Sequence, residues 1–141
     1  MPLPGTSVIP SLNTKRTSDD LFFMPRVVVI DDEEMVATLT GAVLGMKGYE
    51  VQIATSGHDG IQLILKTLPD AVVCDVRMPE IGGEQVIEAL RAQAATSHIP
   101  VVLISGQCDA RESMLGDAFF QKPFNVRDLV ATLDRYCAVA R

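Results

Sequence analysis

An α/β domain wound around a parallel sheet is the fold that this chain's patterning predicts, and three observations carry the prediction. From Arg26 onward, short apolar runs alternate with longer segments of helical period, the rhythm of βα units. Three of the runs, "VVVI" at 27–30, "AVVC" at 71–74 and "VVLI" at 101–104, are continuous rather than alternating, as expected of strands covered on both faces. Polar residues follow most of the runs, and right-handed crossovers in an open sheet bring the ends of such strands to one crevice.

Each element follows from local chemistry. The first strand, 26–30, runs into "DDEE". Met35, Val36, Leu39, Val43 and Met46 then recur at helical spacing and predict a helix with these residues inward, stopping near Lys47-Gly48. "YEVQI" alternates like a more peripheral strand. Ser56 with Asp59 resembles a capping box, opening a helix with Ile61, Ile64, Leu65 and Leu68 inward and closed by Pro69. "AVVCD" is a buried strand, "MPEIGG" turn material, and "EQVIEALRAQ" an amphipathic helix through Val86, Ile87 and Leu90. "VVLIS" and "AFFQ" are the fourth and fifth strands. Asn125 with Asp128 caps a last helix carrying Val126, Leu129, Val130, Leu133 and Cys137. The result is a doubly wound sheet of five parallel strands with helices on both faces.

Composition bounds the function. The chain has 141 residues, 48% hydrophobic and 21% charged, enough for one domain with a real core. Residues 1–25 are rich in Pro, Ser, Thr and Asn and read as a flexible leader to a domain at 26–141, with "LFFMP" apolar enough to dock on the body. Eighteen acidic against twelve basic residues give a net charge of −6. With no Lys/Arg stripe interleaved with aromatics, that balance argues against direct nucleic-acid or membrane binding and for protein or metal partners. Neither a membrane span nor a signal peptide is visible, so a cytoplasmic location is expected. Cys74, Cys108 and Cys137 lack CxxC spacing and read as reduced thiols.

The strand ends carry Asp31 and Asp32 after the first, Asp75 after the third, Ser105 after the fourth, and Lys122-Pro123 after the fifth. Singly these are ordinary. An Asp after a strand is more often a helix cap than a catalyst, Ser105 alone is a turn residue, Lys122 alone a solvated charge, and Glu33 and Glu34 are favourable first-turn charges. His58 and His98 are isolated and receive no role, and "IGGEQ" lacks the pattern of a nucleotide loop. Five polar residues converging on one sheet edge carry more weight than any one of them.

In this order, "VVVIDDEE", "AVVCDVRMPEIGG", "VVLISG" and "FFQKPF" resemble the receiver domain of two-component response regulators, over residues 26–139. The spacings of 43 residues from Asp32 to Asp75 and 30 from Asp75 to Ser105 are similar to the family's. The resemblance implies a flavodoxin-like strand order, 2-1-3-4-5. It implies that Asp75 is the phosphoacceptor, a carboxylate nucleophile taking a phosphoryl group from a phosphohistidine on a sensor histidine kinase or histidine phosphotransfer domain. It further implies a Mg²⁺ ion held directly by Asp32 and Asp75, through water by Asp31, and by the backbone carbonyl of Arg77. Lys122 and Ser105 would meet phosphoryl oxygens, and the Lys122-Pro123 bond would be cis. The metal has a physical motive. Two carboxylates about 4 Å apart repel by about 4 kcal/mol at an effective dielectric of 20, and Mg²⁺ prefers oxygen ligands of this kind.

Departures from the family pattern are also legible. Phe119 occupies the switch position coupled to Ser105 where many receivers carry Tyr or His, so the polar half of that switch is missing. Only 17 positions separate Ser105 from Lys122, which predicts a fourth helix shortened to little more than a turn and puts output through that face in doubt. Gly106 stands where Ala is usual, leaving more room over the phosphate, and Arg77 and Gln107 occupy positions that tune phosphoryl lifetime. The leading expectation is a phosphorylatable receiver without an attached effector, signalling by contact with a downstream protein. A phosphorylation-independent, receiver-like binding module is the alternative; its expected signature, loss of Asp75, Lys122 or the acidic pair, is absent. An aspartate-nucleophile enzyme ranks lower still, because the second acid it would want two residues after Asp75 is Arg77.

Overall fold

The computed structural model describes residues 6–8, 24–107 and 109–141. The elements are β1 (Thr6–Val8), β2 (Arg26–Ile30), α1 (Glu34–Met46), β3 (Glu50–Ala54), α2 (Gly57–Thr67), β4 (Ala71–Asp75), α3 (Gly83–Arg91), β5 (Val101–Ser105), β6 (Ala118–Gln121) and α4 (Val126–Tyr136). The sheet order is β1-β3-β2-β4-β5-β6. Counted from β2, the five parallel strands run 2-1-3-4-5, as the resemblance implied.

The sheet has one strand more than expected. Thr6–Val8 pairs antiparallel with β3, Thr6 opposite Ala54 and Val8 opposite Gln52. β3 would otherwise be an edge, and an edge offers unpaired N–H and C=O groups to any extended segment of the same chain. The rest of the leader, 1–5 and 9–23, lies outside the described residues, as does Cys108. Cys74 and Cys137 are buried thiols.

Two apolar layers sandwich the sheet. Val27, Val29, Val51 and Ile53 face α1 and α4, while Val28, Ile30, Val72 and Cys74 share a cluster with Leu63 of α2 and Leu90 of α3. The period of two along each strand is what splits β2 between the layers. α3 buries Val86, Ile87 and Leu90 as predicted, and α4 buries Leu129, Val130 and Leu133 behind an Asn125 cap on the Arg127 amide, 2.9 Å. Ser56 caps α2 by accepting from the Asp59 amide at 3.1 Å. Its inward set is Leu63 and Ile64 with Ile61 partly covered, whereas Leu65 and Leu68 face outward.

The expected face of α1 is wrong. Ala37, Gly41 and Leu44 are the buried positions, Val36 and Val43 are half-buried, and Met35, Leu39 and Met46 point away. Close approach decides the orientation: a Cβ on Gly41 would stand 3.0 Å from the Ile53 side chain and 3.2 Å from Val51, so α1 lies against β3 through its smallest residue. Between β5 and β6 only a single 3-10 turn forms, Glu112–Met114, in line with the shortened fourth helix. The Lys122-Pro123 bond is cis.

Candidate phosphoacceptor site

Strand register builds the site. Ile30 is level with Cys74 and Asp75 with Ile104, so β2 ends one residue before Asp31 at the height where β4 ends in Asp75. Lys122 follows β6 and its amide donates to the Ser105 carbonyl at 2.8 Å, tying the last strand's end to β5. Every predicted residue except Phe119 therefore sits at the carboxyl edge of the sheet.

Three carboxylates converge there. One oxygen each from Asp31, Asp32 and Asp75 lies within 4.8 Å of the others. Lys122 Nζ reaches Asp31 Oδ2 at 3.3 Å and Asp75 Oδ2 at 3.2 Å, so one ammonium bridges the two buried acids. Asp31 Oδ1 also accepts from the Glu33 amide at 2.9 Å. The cap reading of Asp31 does not hold: α1 begins at Glu34 with Glu33 as its N-cap, so the Asp31 bond to the Glu33 amide closes a turn ahead of the helix while its other oxygen joins the cluster. Asp32 is exposed and completes the cluster from the solvent side.

Asp75 is the last residue of β4, and it is only 8% exposed. It sits beneath the Lys122 ammonium and beside Asp31, and the Arg77 amide donates to its Oδ1 at 3.4 Å. Burial raises its pKa above the ordinary carboxylate value; the Lys122 charge pulls it back, and the Asp31 charge pushes it up again. Burial also opposes the charge on Lys122, but Asp31 and Asp75 outweigh that and hold its pKa above the usual lysine value. Three acids share one cation, so the site carries surplus negative charge. Hard oxygen donors at this spacing fit a divalent cation such as Mg²⁺.

The remaining predicted residues are placed as follows. Ser105 is buried, and its Oγ accepts from the Gln107 amide at 3.1 Å, which leaves the hydroxyl hydrogen free to point elsewhere. Phe119 pairs with Leu103 and packs in the layer of α2 and α3, on the face that Ser105 shares by strand alternation. A Cβ at Gly106 would meet nothing within 4 Å, so an alanine there is sterically permitted. The Arg77 guanidinium does not turn to the acids; it pairs with Glu112 in the 3-10 turn. Arg111 forks onto Glu84 at the start of α3, at 2.5 and 3.3 Å. These two pairs pin the segment that replaces the fourth helix, and sequence reading missed them because pairings across 35 and 27 positions leave no local signal.

Comparison with known proteins agrees with this geometry. The response regulator receiver domain family matches residues 27–134. Among curated relatives, the DNA-binding dual master transcriptional regulator RpaA of Synechocystis sp. is 32% identical over 113 residues, covering 77% of this chain and 47% of that protein. The transcriptional regulatory protein PrrA of Mycobacterium leprae is 34% identical over 112 residues, 76% of this chain and 47% of that one. The chain thus spans about half the length of the curated relatives it matches. Among solved structures, a putative response regulator from Chloroflexus aurantiacus superposes with a TM-score of 0.76 at 31% identity, covering 82% of this chain and 99% of that one. The chemotaxis protein CheY4 of Vibrio cholerae gives 0.75 at 26%, covering 81% and 99%. With a strand order, an acidic triad and a bridging lysine already in place, the match over most of the chain means that this protein belongs to the response regulator receiver domain family, the phosphoacceptor module of two-component signalling.

Proposed function

We propose that Asp75 is the phosphoacceptor of this receiver and that its donor is a phosphohistidine on a sensor histidine kinase or histidine phosphotransfer domain. The observation that carries the reading is the Asp31–Lys122–Asp75 bridge with Asp32 beside it, at the carboxyl edge of the sheet. A carboxylate oxygen of Asp75 forms a bond to phosphorus as the phosphorus–nitrogen bond of the donor breaks, leaving an acyl phosphate on Asp75 and a free imidazole on the donor. Lys122 already lies 3.2 Å from Asp75 Oδ2 and meets one phosphoryl oxygen as a compact charge. Ser105 turns its hydroxyl hydrogen to another, and Phe119 packs on the same face as the aromatic half of a switch that has no hydroxyl of its own. Asp32 and Asp75 would hold Mg²⁺ directly, with Asp31 through water and the Arg77 carbonyl as a further ligand. Bound there, the cation supplies neutralisation of the carboxylate cluster and of charge on the moving phosphoryl group.

The domain acts as a signalling element rather than a turnover enzyme, passing its state to a downstream protein by contact. No helix among the described residues is long and apolar enough to cross a membrane, and an acidic domain of this kind meets its kinase in the cytoplasm. The receiver spans 26–141, and the leader, 1–25, does not contribute to the phosphoacceptor chemistry, its strand Thr6–Val8 lying at the sheet edge beside β3.

Incubation with acetyl phosphate and Mg²⁺, read by intact mass, tests the assignment. One phosphoryl group is expected on the wild type, none on Asp75→Asn, and markedly less in EDTA. No uptake by the wild type under any condition would leave a phosphorylation-independent binding module as the function.

A further inference from the structure

The outward face of α1 is apolar at a regular spacing, and no burial against the described residues accounts for it. Met35, Leu39 and Met46 are 78%, 65% and 84% exposed, and Ala42 between them is exposed as well. Positions 35, 39, 42 and 46 follow a 4-3-4 step, the seam by which two helices pack along their length. The ends of this helix differ in charge. Glu33 and Glu34 stand at its start and Lys47 just past its end, all exposed and none in an ion pair among the described residues.

We propose that this stripe is a self-association surface that takes α1 of a second copy in antiparallel orientation about a two-fold axis. A two-fold contact requires one patch to be complementary to itself, and the stripe meets that condition in a single register. Met35 then faces Met46 of the other copy, Leu39 faces Ala42, and Glu34 faces Lys47. Large packs against small at the centre, and opposite charges meet at both ends. A parallel pairing would set Glu34 against Glu34 and Lys47 against Lys47, so the charges select the antiparallel arrangement. Among the described residues, Glu34, Met35, Thr38 and Leu39 line a depression of about 330 Å³, a socket for Met46 of the second copy. Met35 to Met46 spans about 16 Å of helix. A contact this narrow falls well short of the roughly 800 Å² per partner of a standard interface, so the dimer is weak, with a dissociation constant on the order of 100 μM. This inference does not depend on the phosphoacceptor reading.

Sedimentation velocity from about 10 to 500 μM, spanning that constant, tests it. The wild type is expected to shift from monomer to dimer across the range, and Leu39→Glu to remain monomeric throughout. Glu34→Lys and Lys47→Glu should each weaken the dimer several-fold by creating like-charge contacts, and the double exchange should restore it. All these positions are exposed, and circular-dichroism melts would verify that each variant is folded. A wild type that stays monomeric at the top concentration, a dimer that survives Leu39→Glu, or a double exchange that fails to recover association would each overturn the proposal.

Discussion

Two carboxylates, Asp75 and Asp134, each meet a cation and a hydrogen-bond donor, yet their pKa values move in opposite directions. At the carboxyl edge of the sheet, Asp75 competes with Asp31 and Asp32 for Lys122, and its pKa is raised, burial being the largest cause. In α4, Asp134 accepts from Tyr49 at 2.5 Å and from Arg141 Nε at 2.6 Å, while Arg141 also donates to the Lys47 carbonyl at 2.5 Å. Burial pushes Asp134 up, but those two donors outweigh it and its pKa is lowered. One cluster satisfies its charge and staples the C-terminus to α1. The other has more acid than cation, and surplus charge of that kind gives an incoming metal something to stabilise.

The sharpest way to break this comparison is to remove one carboxylate from each cluster. Asp134→Ala strands the buried Tyr49 hydroxyl and removes the carboxylate partner of Arg141, so a loss of about 1–3 kcal/mol is expected in urea unfolding. Asp75→Asn, measured in EDTA, removes charge from an overfilled site and should leave stability within about 1 kcal/mol of wild type or improve it. Comparable losses from both variants would show that the phosphoacceptor site is not electrostatically strained.

Metal binding sharpens the same contrast. Mg²⁺ at about 100 times its dissociation constant should stabilise the folded protein by about 2.7 kcal/mol, seen as a rise in melting temperature. Asp32→Ala should abolish that rise while hardly altering the metal-free melt, because Asp32 is exposed and makes no cap or lysine contact among the described residues. A shift that persists in Asp32→Ala would place the ion elsewhere.

The smallest expected effect is on pH dependence. Asp75 binds its proton more tightly folded than unfolded, so its contribution favours folding below the unfolded value of about 3.9 and is lost as pH rises through the elevated folded value. Asp134 is the reverse, contributing above about 3.9 and losing that contribution as pH falls through its depressed folded value. In EDTA, the advantage of Asp75→Asn over wild type should therefore grow as pH rises above about 4, and the deficit of Asp134→Ala should shrink below about pH 3.9. Melting temperatures across that range would check both slopes.

Much of this was legible before any coordinates. The continuous apolar runs at 27–30 and 71–74 read as strands buried on both faces, and Ser56 and Asn125 announce helix starts because their side chains replace missing backbone partners. Val86, Ile87 and Leu90 face inward because α3 has a single apolar side to offer. α1 was misread because it has two. Its larger residues lie at the 4-3-4 step, and hydrophobicity ranked Met35 and Leu39 above Ala37 and Gly41. Space in the sheet, not hydrophobicity, chose the buried side.

The sequence alone determined the five parallel strands, their order once the family pattern was recognised, and which side chains reach the carboxyl edge, since these depend on residue type and period. Tertiary structure decided what those side chains do to one another. That Asp75 is buried under Lys122, that Asp31 shares that lysine, that Arg77 turns to Glu112, and that Thr6–Val8 pairs with β3 all depend on distances between residues far apart in the chain. Coulomb and packing energies are set by those distances, and a linear pattern does not contain them.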